Sequence, residues 1–283
     1  MPEQHLATIL ANKREGAYHR LVLSAPSIAK DVKVGQFATI SVGGQNSGMI
    51  LRRAFSIHNI TTDSAQGQMM ELIVSPHGPG TKWIAEQSPG KTLDVVSPLG
   101  KGFPLPKSPV NCLLIGGGYG SAPLVFLAKE LKKRNCSVDF ILGASTSEKL
   151  FDTMNAKRES RFYEVYTQDG SHGRRGMVTD SLADMIQKAN TNVIYTCGPM
   201  PMLQAITEIA TFHGVITQCA VEESMACGIG VCMTCVLPVR DESGVTRMVR
   251  SCLEGPVFRG DYVRFDEVGS IPEDCIGAPR QSQ

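Results

Sequence analysis

Four cysteines in the C-terminal quarter of this 283-residue sequence have the spacing of a metal centre: Cys227, Cys232 and Cys235 at C-x4-C-x2-C, then Cys252. Thiolates bind iron and zinc well, and four on a compact loop can enclose a metal. This spacing is that of plant-type 2Fe–2S clusters. Structural zinc sites more often pair cysteines two residues apart, C-x2-C…C-x2-C, a pattern absent here. Gly228 and Gly230 suit a loop that folds closely around inorganic sulfides and offers N–H groups to them. A structural zinc site, as part of a non-enzymatic binding module, and four metal-free buried thiols are the competing interpretations. Cys112, Cys136, Cys219 and Cys275 lack such spacing and read as buried small hydrophobes or incidental surface thiols.

Three further patterns point to phosphates and nucleotides. Arg53-Ala54-Phe55-Ser56 reads R-x-[FY]-S on a strand, with Arg53 and Phe55 on one face and Ser56 on the other. An aromatic there can lie against an isoalloxazine ring, and an arginine two residues away can meet a diphosphate with a forked contact. Gly78-Pro79-Gly80-Thr81 follows the apolar run Leu72-Ile73-Val74 and resembles a glycine turn opening a helix. Its N–H groups and the Thr81 hydroxyl would then face a phosphate, although an ordinary capped turn has the same letters. Gly116-Gly117-Gly118-Tyr119-Gly120-Ser121-Ala122-Pro123 lies between a strand and a helix, where glycine lets backbone approach a pyrophosphate. The strict G-x-G-x-x-G is not met, since Ser121 holds the third position. No acid follows Phe140-Ile141-Leu142-Gly143, where Ser145 and Thr146 stand instead. Ser145, Lys149, Arg174 and Arg175 are candidates to hold a 2′-phosphate, which leaves NAD against NADP open. Cys197-Gly198-Pro199 ends the strand VIYT, on the edge where open α/β sheets bind ligands. Cys197 is the one candidate for nicotinamide contact, and no firm catalytic residue stands out.

These residues need elements to position them. The first hundred residues read as strands with turn clusters between them, which suggests a small antiparallel barrel. The Pro- and Gly-rich stretch 97–110 reads as a seam. Beyond it, apolar runs alternate with helical patterns. In LVFLAKELKKR, Leu124, Leu127, Ala128 and Leu131 recur at helical spacing with the lysines off the stripe. Strand and helix in turn imply a doubly wound parallel sheet. From about residue 219 short strand-like pieces (VCMTCVLPV, RMVRSCL, DYVRF) accompany the cysteines, and the tail 272–283 reads as polar and frayed. The expected division is 1–105 for the barrel, 106–218 for the α/β unit and 219–283 for the cluster module and tail.

Composition narrows the partners. With 28 Lys+Arg against 27 Asp+Glu the net charge is +1, without the basic excess of a nucleic-acid binder. Hydrophobic residues at 42% and charged ones at 19% are a globular balance, which excludes disorder. No stretch approaches the ~18–20 apolar residues that span a bilayer, and MPEQHLATIL lacks the order of a signal peptide. Nine cysteines, an odd count, argue against a disulfide framework. A cytoplasmic protein, bound to neither membrane nor nucleic acid, is expected.

Taken in order, Arg53–Ser56, Gly80–Thr81, the GGGYGSAP loop and Cys197–Pro199 resemble the ferredoxin–NADP reductase superfamily, in which a flavin-binding barrel precedes a nucleotide-binding α/β domain. The segment EESMACGIGVCMTCVLPV…RSCLEGPVF resembles one branch, the electron-transfer subunits of NAD-linked dihydroorotate dehydrogenase, as does QDGSHGRRGMVTD. The resemblance implies FAD contacts at Arg53, Ala54, Phe55 and Ser56, at Ile73, Val74 and Ser75, and at Gly80 and Thr81. It implies nucleotide contacts at Gly116, Gly118, Gly120, Cys197, Gly198 and Pro199, and cluster ligands at Cys227, Cys232, Cys235 and Cys252. Ala54-Phe55 departs from the Pro and aliphatic residue frequent in that branch, and the insert RDESGVTR lengthens the interval before Cys252. Nicotinamide exchanges electrons in pairs and a 2Fe–2S cluster one at a time, and a flavin between them can do both. The function implied is an electron relay between NAD and a separate, FMN-containing catalytic subunit in a hetero-oligomer, most directly in dihydroorotate oxidation for pyrimidine biosynthesis. A related reductase subunit serving ferredoxin, sulfur or a hydrogenase is the alternative. The three expected units use up the chain, so the substrate-oxidising domain is expected on another polypeptide docked near the cluster.

Overall fold

The structure, a computed structural model, describes residues 2–25, 31–44, 47–65, 67–222 and 224–278. The first six strands close into an antiparallel barrel in the order β1-β2-β5-β4-β3-β6. They are β1 (Glu3–Glu15), β2 (Tyr18–Ser24), β3 (Phe37–Ile40), β4 (Arg53–Asp63), β5 (Gly67–Val74) and β6 (Thr92–Leu99), with α1 (Pro79–Ala85) before the last. Alternation along each strand sends one set of side chains inward: Ile9, Leu21, Leu23, Ala38, Ile40, Phe55, Ile57, Met70, Leu72 and Val95 fill the interior. Each large aliphatic buried this way is worth about 1.5–3 kcal/mol. The opposite set on β3, Phe37 and Thr39, faces out of the barrel, and this face is covered by the C-terminal module.

After an extended connection comes a seven-stranded sheet in the order β10-β9-β8-β7-β11-β12-β15. Its strands are β7 (Asn111–Gly117), β8 (Ser137–Ala144), β9 (Tyr163–Thr167), β10 (Arg174–Arg175), β11 (Val193–Cys197), β12 (Ile216–Ala220) and β15 (Val257–Arg259). All pair in parallel except β15, which runs antiparallel at the edge beside β12. One face carries α2 (Leu124–Lys132), whose Leu124, Leu127, Ala128 and Leu131 stripe packs on Phe140 and Tyr195, together with α3 (Thr153–Glu159) through Ala156. The other carries α4 (Leu182–Ala189) and α5 (Met200–Phe212) over Leu113, Ile115, Ile141 and Ile194. The chain runs from β7 outward to β8 and then returns to β11 on the other side. Their carboxyl ends thus flank the topological switch point at which such sheets bind ligands. The expected barrel-plus-α/β fold is the one observed.

The C-terminal module is less regular than its sequence suggests. VCMTCVLPV becomes strand only from Val236, as β13 (Val236–Arg240), paired with β14 (Thr246–Arg250). RMVRSCL leaves the strand at Ser251 to form α6 (Ser251–Glu254). DYVRF is not a strand; Gly260–Tyr262 and Phe265–Glu267 are 3-10 turns that bury Val263 by tucking it under β13. The strand begins four residues earlier, at β15, which joins the module to the α/β sheet. Of the tail read as frayed, 279–283 lie outside the described residues. The preceding stretch turns back, with Cys275 buried and the Ile276 N–H donating to the Thr246 carbonyl at 3.0 Å.

Candidate functional site

The barrel, the α/β sheet and the cysteine module meet around a cavity of about 270 Å³. Arg53, Ala54, Phe55 and Ser56 of β4, Ile73 and Ser75 at the end of β5, and Thr81 of α1 line it from the barrel side. Gly120, Cys197 and Gly198 line it from the sheet. Val74 lies elsewhere, in the barrel interior, and Phe55 also packs mainly into that core, 9% exposed. The Arg53 guanidinium rests against Gly80, where a β-carbon would lie 2.8 Å from Nε. Its hydrogen bonds go to the Leu51 and Arg52 carbonyls at 2.6 and 3.3 Å. Among the described residues it has no carboxylate partner, so its charge is available to an anion. The Thr81 hydroxyl, expected to face a phosphate, is engaged within its own turn at the cavity wall. It turns back onto Gly78, accepting from the N–H at 3.0 Å and donating to the carbonyl at 3.1 Å, and so caps α1.

A second cavity, about 480 Å³, opens at the carboxyl ends of the sheet. Gly117 and Gly118 at the end of β7, Ser145 and Lys149 after β8, Gln168 after β9, and Pro199 with Met202 line it. Gly116 does not; a β-carbon there would meet Ser121 at 2.7 Å, so it holds the turn rather than a ligand. Of the four groups considered for a 2′-phosphate, Ser145 and Lys149 are in the lining. Arg174 instead meets Glu164 at 3.4 Å and the Tyr166 hydroxyl at 3.3 Å. Burial pushes the Cys197 thiol up to about 12, so it is a neutral thiol at physiological pH.

Sequence reasoning missed the residues at which the two cavities meet. Tyr119 and Glu222 line both. Glu222 reaches solvent on one side, but desolvation raises its carboxyl above the usual range, opposed by the charge of His77. Its signal was position alone: it follows β12, at the carboxyl edge of the sheet. Phe37, His77 and Met225 complete the first cavity and belong to three separate stretches of chain.

The four thiols come together as two pairs. The Cys232 N–H donates to Cys227 Sγ at 3.5 Å and the Val231 N–H at 3.3 Å. Cys235 and Cys252 lie against each other within hydrogen-bond reach, packed on Phe37 and Leu99. The second pair is buried, whereas Cys227 is partly exposed and Cys232 exposed. Among the described residues no three His, Cys, Asp or Glu side chains converge as one metal ion would require. Two thiol pairs suit a dinuclear cluster, with two thiolates on each iron, better than one tetrahedral zinc. Other observations fit a sulfur-rich group. Gly228 and Gly230 adopt φ of +71° and +80°, which keeps the loop tight. The buried hydroxyls of Thr39, whose methyl packs beneath Gly228, and of Ser251, the residue before Cys252, have no hydrogen-bond partner among the described residues.

Known proteins resemble this chain in sequence and in fold. The family of the iron–sulfur cluster binding domain of dihydroorotate dehydrogenase B matches residues 222–264, and the oxidoreductase NAD-binding domain matches 114–208. The dihydroorotate dehydrogenase B (NAD(+)) electron transfer subunit of Geobacillus thermodenitrificans (strain NG80-2) is 38% identical over 247 residues, which is 87% of this chain and 92% of that protein. Its counterpart from Geobacillus sp. (strain WCH70) is 36% identical over 269 residues, 93% of this chain and 99% of that one. Among solved structures, a chain of an NADH-dependent reduced ferredoxin-NADP oxidoreductase matches with a TM-score of 0.80 at 27% identity, covering 93% and 91% of the two chains. A ferredoxin NADP+ reductase from Neisseria gonorrhoeae with bound FAD and NADP shares the fold, with a TM-score of 0.59 at 19% identity over 75% of this chain and 92% of that one.

Proposed function

The chain belongs to the family of dihydroorotate dehydrogenase B electron-transfer subunits, and we propose that it relays electrons between NAD and a separate catalytic subunit that oxidises dihydroorotate to orotate. The observation that carries this proposal is the continuity of the site. The nucleotide cavity meets the flavin cavity at Tyr119 and Glu222, and Phe37 and Met225 wall the flavin cavity while packing against Cys235 and Cys252. Bound there, the groups supply complementary chemistry: paired electrons at the nicotinamide, single electrons at the cluster, and a flavin that handles both.

The protein's own contribution is positioning and insulation. We assign Arg53 to the flavin diphosphate, with Ala54, Phe55, Ser56, Ile73, Ser75, Gly80 and Thr81 as the surrounding flavin contacts. Gly118, Gly120, Cys197, Gly198 and Pro199 are assigned to the nicotinamide nucleotide, Cys197 as a neutral thiol, with Gly116 holding the turn behind them. Cys227, Cys232, Cys235 and Cys252 hold the cluster, the last two on the flavin side and the first two toward solvent. The three functional units are taken as 1–105, 106–218 and 219–283, with β15 tying the third to the second.

The catalytic partner is proposed to carry FMN and to form a hetro-oligomer with this chain in the cytoplasm. No helix among the described residues is long and apolar enough to cross a membrane. Ile229, Val231, Met233 and Leu253 are exposed around the cysteine loop and offer the partner an apolar surface beside the outer thiols. The test is an anaerobic visible spectrum of the purified chain before and after NADH. Flavin bands over a broad iron–sulfur absorption, both bleached by NADH, are expected. A chain that stays colourless after reconstitution with FAD, iron and sulfide would refute the relay.

A further inference from the structure

The outward face of β3 forms the floor beneath the cysteine loop. Ala38 and Ile40 point into the barrel, while Phe37 and Thr39 point the other way. Thr39 is 1% exposed, and its Oγ1 has no hydrogen-bond partner among the described residues. The Thr39 methyl lies under Gly228, where a β-carbon would be 2.7 Å from Cγ2; the next contacts are Leu99 and Phe37, each at 3.5 Å. The hydroxyl, carried on the same β-carbon as that methyl, is buried between β3 and the cysteine loop, under the residue that follows Cys227. Burying a hydroxyl without a partner is unfavourable, and a valine of the same shape would avoid the penalty. The group that would relieve it is an acceptor on the side of the cysteine loop.

We propose that Thr39, a residue of the barrel, donates its hydroxyl hydrogen bond to a sulfur of the bound cluster and so sets the cluster's reduction potential. This rests on the electron-relay function proposed above. A donor to sulfur favours the reduced, more negative state and raises the potential. Thr39 is thus a positioning and tuning residue that couples barrel and cluster and does not itself take part in electron exchange.

The test compares Thr39→Val, Thr39→Ala and Thr39→Ser with the wild type, each as the full chain loaded with FAD and cluster. Redox titration followed by electron paramagnetic resonance is the readout. Both variants lacking the hydroxyl are expected to have a lower cluster midpoint, seen as a several-fold smaller reduced fraction at a fixed potential. Thr39→Ser is expected to restore the wild-type value, and the flavin midpoint to stay in place throughout. Wild-type midpoints in both Thr39→Val and Thr39→Ala would overturn the proposal, as would a Thr39→Ser chain shifted as far as Thr39→Val. A wild-type chain that takes up no iron and acid-labile sulfide would overturn the relay itself, and this proposal with it.

Discussion

Arg53 is held by two backbone carbonyls and a glycine surface rather than by a carboxylate. That arrangement keeps a full positive charge at the cavity wall for a diphosphate. Hydrogen bonds to charged groups are worth about 1.5–3 kcal/mol each. Arg53→Ala should therefore weaken FAD binding by roughly ten- to a hundredfold, measured by fluorescence titration of the deflavinated chain. Arg53→Lys should recover only part, because a point charge cannot make the forked contact. An unchanged affinity would remove Arg53 from the flavin site. Cys232 tests the other end of the relay. It is the most exposed of the four thiols, whereas Cys235 and Cys252 pack against Phe37 of the flavin wall. Cys232→Ser should leave flavin reduction by NADH largely intact while abolishing transfer to a one-electron acceptor beyond the cluster. Stopped-flow absorbance separates the two steps, and loss of both would refute a serial path.

Among the elements, the segment after β8 binds the nucleotide cavity to the barrel. The Ala17 N–H donates to the Glu148 carbonyl at 3.0 Å, and the Tyr18 hydroxyl to the Lys149 carbonyl at 2.7 Å. The Phe151 ring sits edge-on to Tyr18 and His58. Because Ser145 and Lys149 line the nucleotide cavity, this clamp fixes one of its walls. Tyr18→Phe removes one buried hydrogen bond, worth about 1 kcal/mol. It should raise the KM for NADH several-fold with kcat nearly unchanged; a kcat loss at constant KM would show that the clamp acts on something other than nucleotide binding. The clamp was invisible in the sequence, since its hydrogen-bonded partners are 131 residues apart. What was legible was local. The stripe of α2 follows from one helix's periodicity, and the cysteine pattern from one loop. Phe37, His77 and the pair Glu222 and Met225 come from three separate stretches of chain and become neighbours only in the folded protein. DYVRF misled because alternating apolar residues are satisfied as well by a 3-10 turn that buries Val263 as by a strand.

At the scale of the whole molecule, the buried acids share one direction of shift. Burial pushes Cys197 up to about 12 and Cys219 up to about 11, and Tyr18 and Tyr163 up to about 12. Cys112 and Tyr195 are raised for the same reason. In each case the unfolded chain loses its proton at a lower pH than the folded one. Between the two pKa values the folded state binds more protons, so stability falls as pH rises. The full contribution is present below the unfolded pKa values, 9.0 for the thiols and 10.0 for the tyrosines, and it is lost progressively above them. At pH 10 a thiol shifted this far accounts for a loss on the order of 1 kcal/mol. The urea midpoint of the holoprotein should therefore hold steady from pH 7 to 8.5 (approximately) and then decline steeply toward pH 10.5. Cys219 lies in the core between β12 and α5, away from the four cluster thiols. Cys219→Ala removes its share of the titration, so the decline should become shallower even if the midpoint at pH 7 is lower. A midpoint that stays flat to pH 10.5 would mean these groups ionise as freely in the folded protein as in the unfolded chain.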